Sequence, residues 1–123
     1  MQLLVALLSI ALLASACVQT GGTQRRSDNN AGVSSDPSDL EKRASVRLEL
    51  AGGYFSRGQF NTALDEIKLA LAAKPDMGAA YNMRGLVYAA MGEERLAEES
   101  FERAMSLNPR DADAMHNRAW FKC

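Results

Sequence analysis

Five residues recur in this chain at one fixed offset of 34 positions: Tyr54 as Tyr88, Gly58 as Gly92, Ala63 as Ala97, Ala70 as Ala104 and Pro75 as Pro109. Ile67 and Phe101 share a register as large apolar residues, and Ala51 and Gly85 share another as small ones. A period of this size marks a chain built from repeated supersecondary units. Each unit is too small to bury its own apolar face and must stack on a neighbour to do so.

The spacing inside the unit says what is repeated. Leu50, Tyr54 and Phe55 are helically spaced, and Gly58 follows where a helix needs a left-handed residue to end. A second helix is predicted over residues 61–74, with Ala63, Ile67, Ala70 and Leu71 forming an i, i+4, i+7, i+8 stripe. Pro75 stops it, because proline has no amide hydrogen and clashes with the preceding turn. The second unit predicts helices over residues 78–91 and 95–107, with Gly92 between them and Pro109 after. Alanines at matching positions allow close approach, while Ile67 and Phe101 fill the space between helices.

Helix–turn–helix units of this period resemble the tetratricopeptide repeat. Residues 44–77 form the first unit and residues 78–111 the second. Residues 112–123 begin a third, with Met115, Ala119, Trp120 and Phe121, and supply most of one helix without its partner. About three units are normally needed for a stable stack, so the pattern predicts a truncated piece of a longer protein, with Trp120 and Phe121 left uncovered. The expected fold class is an all-α tetratricopeptide-repeat solenoid of two full repeats and a truncated third, preceded by a signal peptide and a flexible tether.

Residues 3–13 are apolar save for Ser9. A membrane-spanning helix needs roughly 20 apolar residues, so this run fits the apolar core of a secretory signal instead. Ala14, Ser15 and Ala16 supply small side chains, and Cys17 follows at once. The arrangement resembles a bacterial lipobox, in which the cysteine is lipidated and the chain is cut just before it. Ala14 stands where a lipobox usually has Leu, and Met1-Gln2 lacks the customary cation. A plain signal sequence and a retained first helix are the alternatives. The expectation is a signal peptide over residues 1–16, then lipidated Cys17 and a disordered linker over residues 17–43. Ser, Gly, Asn, Asp and Thr dominate that linker, which buries too little to offset its ordering entropy. From Val18 to Asp39 it would span roughly 25 Å. Asp39 is a candidate cap for the helix that follows.

Charge and chemistry narrow the function. Fourteen Lys and Arg against 15 Asp and Glu leave a net charge of −1, which gives no electrostatic footprint for nucleic acid. Two cysteines at opposite ends and the lone His116 provide no zinc ligand set and no acid–base pair. The expectation is a binding protein rather than an enzyme, with no cofactor, no metal and no small-molecule substrate.

In tetratricopeptide repeats the concave face, lined by the first helix of each unit, usually carries function. Transferring that pattern gives Leu48, Gly52, Phe55 and Ser56 from the first unit, and Ala79, Asn82, Leu86, Ala89 and Ala90 from the second. The third contributes Asp113, His116 and Trp120. Such a surface suits an extended or helical peptide, although part of it would serve equally to meet further helices. Leu48, Gly52, Met83, Asp113 and Asn117 hold the places where some of these repeats clamp a C-terminal carboxylate, so that clamp is absent. Arg84 and Arg118 stand where the repeat commonly has an apolar residue, and their guanidinium groups are expected to reach carboxylates such as Asp65 or Glu66. Glu93, Glu94, Glu98 and Glu99 read as a solvated helix face.

The stretches "RGQFNTALDEIKLALAAKPD" and "RGLVYAAMGEERLAEESFERAMSLNP", with "HNRAWFKC" at the end, resemble the type IV pilus biogenesis and stability lipoproteins (PilW/PilF), the pilotins of the pilus secretin. Asn117, Trp120, Phe121 and Cys123 match the family's "NNYGWFLC", while Arg118, Ala119 and Lys122 depart from it. The resemblance implies a lipid-anchored protein of the bacterial outer membrane facing the periplasm. Its partners would be secretin subunits, whose assembly it promotes. Val18 after the anchor cysteine agrees with outer-membrane sorting. The alternative is a generic periplasmic repeat lipoprotein that scaffolds cell-wall or outer-membrane assembly proteins.

Overall fold

Asp36 and Pro37 open the first helix. The Asp36 side chain accepts a hydrogen bond from the backbone amide of Ser38 at 2.8 Å, and Pro37 sits at the first helical position, where its missing amide hydrogen and fixed φ cost nothing. The computed structural model describes residues 36–123. The signal-peptide and Cys17 assignments lie outside the described residues.

Five helices are present among the described residues: α1 (Pro37–Ser56), α2 (Phe60–Ala73), α3 (Gly78–Met91), α4 (Glu94–Leu107) and α5 (Ala112–Lys122). They form an all-α solenoid in which α1 pairs with α2, α3 with α4, and α5 packs on α3 and α4. The linker was expected to run to residue 43. Instead α1 begins at Pro37, capped by Asp36 rather than Asp39. Its added first turns are tied down by Glu41, which pairs with Lys74 just beyond α2.

The repeat is visible in individual backbone bonds. Gln59 N–H donates to Tyr54 O at 3.0 Å, and Glu93 N–H to Tyr88 O at 2.9 Å. Gly58 N–H donates to Phe55 O at 2.9 Å, and Gly92 N–H to Ala89 O at 3.1 Å. Gly58 and Gly92 have φ of 73° and 76°. Both turns are therefore Schellman motifs, which satisfy the last carbonyls of the helix through a left-handed glycine. The exits from α2 and α4 repeat too, with Lys74 N–H on Ala70 O at 2.9 Å and Asn108 N–H on Ala104 O at 3.0 Å.

Small residues make the close contacts. Ala51, Ala63, Ala70 and Ala80 are fully buried in one cluster with Ile67 and Val87. Phe101, Ala97, Ala104 and Ala114 are fully buried in the second half. Among the described residues Phe101 is the largest fully buried side chain, and its burial contributes roughly 1.5–3 kcal/mol. Leu50, helically spaced with Tyr54 and Phe55, is 42% exposed, whereas those two are half-buried. Phe121 was expected to stand uncovered. Its ring instead lies 6.0 Å from that of Phe101, centroid to centroid, and it is half-buried.

Candidate functional site

The first helices of the three units, α1, α3 and α5, lie side by side and carry every expected groove residue. α1 and α3 meet at Gly52, where a Cβ would sit 3.8 Å from Met83 Cε, an ordinary van der Waals contact. Asn117 Nδ2 on α5 donates to Asn82 Oδ1 on α3 at 3.1 Å. This amide pair ties the two helices together along that row.

The structure divides the expected site residues into two groups. Leu48 and Phe55 pack against the core cluster, and the Phe55 ring lies 5.9 Å from that of Phe60. Asn82 is engaged with Asn117, and Gly52, Leu86 and Ala89 are half-buried. These residues are packed within the stack. Ser56, Ala79, Ala90, Asp113, His116 and Trp120 are exposed. Trp120 stands out at 79% exposure, because an indole with that much accessible surface is the residue type most often found at the energetic centre of a protein interface.

Arg84 and Arg118 hold the same register and meet different partners. Arg118 does reach carboxylates, though not Asp65 or Glu66. Its Nε donates to Glu98 Oε1 at 2.9 Å and a terminal nitrogen reaches Glu102 Oε1 at 3.1 Å. Lys122 Nζ adds a third contact, 2.9 Å from Glu98 Oε1. Glu98 is thus a half-buried link between α4 and α5, unlike its exposed neighbours Glu93, Glu94 and Glu99. The hydrogen bond from Arg118, with Lys122 beside it, holds the Glu98 carboxyl below the ordinary glutamate range. Arg84 reaches no carboxylate among the described residues. Its Nε donates to Ser100 Oγ at 3.0 Å, and Ser100 Oγ donates to Leu96 O at 2.7 Å. That chain satisfies Ser100, which is almost fully buried. The Arg84 guanidinium also lies 4.7 Å from the centroid of the Tyr81 ring, with Arg103 5.7 Å from the same ring.

A groove on α1 and α2 escaped the sequence reading, although Leu50 was noted there for its helical spacing. Val46, Leu50 and Leu69 are 56%, 42% and 47% exposed and line a groove of about 490 Å³. The signal was present in the 34-residue register, which aligns Val46 with the buried Ala80. Cys123 is an exposed free thiol at the end of α5, not a residue packed within the stack. No helix among the described residues is long and apolar enough to cross a membrane.

The second helix pair decides what this architecture is similar to. Residues 78–111 match the tetratricopeptide repeat. The matched span is α3, the Gly92 turn, α4 and the Pro109 exit, and the first pair repeats its backbone bonds. Tetratricopeptide repeats typically mediate protein–protein interaction, and their stacking creates an extended inner surface for that purpose. No curated protein sequence matches the chain significantly.

Proposed function

We propose that the chain is a lipid-anchored scaffold of the outer membrane, facing the periplasm, that binds secretin subunits and promotes their assembly for type IV pilus biogenesis. The observation that carries this reading is Trp120. It belongs to the "WFKC" ending that resembles the pilotin lipoproteins, and it projects from the same helix as Asn117, on the row formed by α1, α3 and α5. Ser56, Ala79, Ala90 and His116 add exposed small and polar surface to that row, a lining suited to an extended or helical segment of a partner. Ala14-Ser15-Ala16-Cys17 supplies the anchor. Several acyl chains, at about 0.8 kcal/mol per buried methylene, would hold the protein on its membrane. The mechanism is binding and positioning, with no bond made or broken.

The deciding experiment deletes the gene and measures heat-resistant secretin multimers on a gel. Multimers are expected to fall, to recover with the wild-type gene, and to recover less with Trp120→Ala. Unchanged multimers after deletion overturn the secretin reading. They would favour a generic periplasmic scaffold for cell-wall or outer-membrane assembly proteins, a reading supported by the family match lying in the repeat itself.

A further inference from the structure

One face of α1 has an internal control elsewhere in the chain. Val46, Leu50, Gly53 and Tyr54 lie on it, and their counterparts 34 residues later are Ala80, Arg84, Val87 and Tyr88 on α3. On α3 that face is covered by α2. Ala80 and Val87 are fully buried, in one cluster with Ala63, Ile67 and Ala70 of α2. On α1 no described helix takes the same place, and Val46 is 56% exposed where Ala80 is 0% exposed. The groove beside Val46 and Leu50 is closed on its far side by Leu69 and Ala73 of α2, and its remaining lining is cationic, with Lys42, Arg43 and Arg47 and no carboxylate. Arg47 is paired with Glu66 at 3.0 Å. Lys42 and Arg43 form no ion pair with any described residue.

We propose that this groove docks an amphipathic helix of a partner protein, lying on α1 as α2 lies on α3. Its apolar residues would meet Val46, Leu50 and Leu69, and its acidic residues would face Lys42 and Arg43. The repeat symmetry sets the shape of the occupant and the unpaired cations set its charge. A second copy of this chain is a poorer occupant. Its helix in the equivalent role is α4, whose docking face already holds α5 through Glu98, Arg118 and Lys122. Leu50 stands two repeats before Arg118, so moving α4 onto α1 would strip Glu98 of both cations and set it against an aliphatic side chain. The site uses residues separate from the α1–α3–α5 row and does not rest on the secretin reading.

The test uses the full chain and a stapled helical peptide carrying residues 60–73, whose apolar face is the one that covers α3. A second version of the peptide carries Ala72→Glu in its last turn, the end next to residues 76 and 77, which share the register of Lys42 and Arg43. Binding is read by fluorescence anisotropy at low and high salt. The chain is expected to bind both peptides, the acidic one several-fold more tightly at low salt. Val46→Asp or Leu69→Asp should weaken binding roughly tenfold or more without changing the melting temperature, since both residues are on the surface. Lys42→Glu with Arg43→Glu should abolish the preference for the acidic peptide. Absence of binding, or binding indifferent to Val46 and Leu69, overturns the proposal. So does self-association of the wild-type chain in sedimentation that Val46→Asp abolishes, which would make a second copy the occupant. Co-sedimentation with phosphatidylglycerol vesicles that depends on Val46, without peptide binding, would make it a lipid surface. Binding that emerges only when Leu7 and Leu8 are changed to Asp would give the groove to the chain's own apolar run, and would overturn the partner as well.

Discussion

The ring of Phe101 fills the space into which a Cβ at Gly85 would project, its nearest carbon 2.5 Å from that position. One repeat earlier the same two positions hold Ala51 and Ile67, both buried. The two units therefore solve one packing problem with two size pairs, a small residue with an aliphatic one and no side chain with an aromatic one. Gly85→Ala should cost about 1–3 kcal/mol as an overpacked contact against a rigid ring. Combining it with Phe101→Ile recreates the first unit's pair. Chemical denaturation of the four species should give a coupling energy of about 1–2 kcal/mol in the direction of rescue. Simple additivity would show that the ring moves aside freely.

Gly58 and Gly92 end their helices at φ of 73° and 76°, and a Cβ at either would meet nothing within 4 Å. The cost of alanine is therefore conformational alone, about 1–2 kcal/mol at each site. D-alanine at either position, introduced by chemical synthesis, should leave the melting temperature unchanged or slightly raised.

The Asp36 helix start shows where reading the sequence fell short. The bounds of α3 were legible to the residue, because a left-handed glycine ends it and a proline precedes it. The starts of α2 and α4 were each legible to within one residue. The start of α1 was hidden in polar composition, although Asp36-Pro37 is a cap followed by a first-turn proline. What the composition could not convey is the Lys74–Glu41 pair, a tertiary contact that holds the extra turns. At the site, Arg118 and Arg84 show both sides of the lesson. The register places Leu64 where Glu98 stands and Lys68 where Glu102 stands, so the helix behind Arg84 offers no carboxylate at the places Arg118 uses. That distinction was readable from the repeat. The exposure of Leu50 was harder, since helical spacing identifies an apolar stripe without saying whether a neighbour covers it.

Acid should loosen α5 specifically. The Glu98 carboxyl is depressed below its ordinary value by Arg118 and then Lys122. A carboxylate of that kind stabilises fully above its unfolded-state pKa, and the contribution is lost as the pH falls through the depressed folded value. Amide protection factors in α5 should therefore decline on acidification below the ordinary glutamate range while those in α2 and α3 hold. Glu98→Gln should flatten the acid dependence, with lower protection of α5 at neutral pH. Equal decline across all five helices would show that Glu98 is not the responsible group.

Trp120 and Phe121 are adjacent and should behave oppositely. Phe121→Ala removes the ring contact with Phe101 and should lower stability by about 0.5–1.5 kcal/mol beyond the lost buried area. Trp120→Ala should change stability by no more than about 0.5 kcal/mol, since the indole is 79% exposed. Thermal denaturation of the two variants side by side checks this. A large loss with Trp120→Ala would assign the indole to structure rather than recognition.

Cys17→Ala tests the anchor by cell fractionation. The variant should appear in the soluble periplasmic fraction or remain unprocessed, whereas a mature-sized membrane protein would rule out lipid attachment at Cys17.

The backbone bonds of one helix pair recur in the next with their donors and acceptors shifted by the same 34 residues. Length in this protein is consequently quantised. Duplicating a whole unit would leave each new junction identical in kind to one that already exists, whereas an insertion one residue longer or shorter would rotate every later helix out of its seat. Such a protein can lengthen its binding surface by copying itself, without inventing a single new contact.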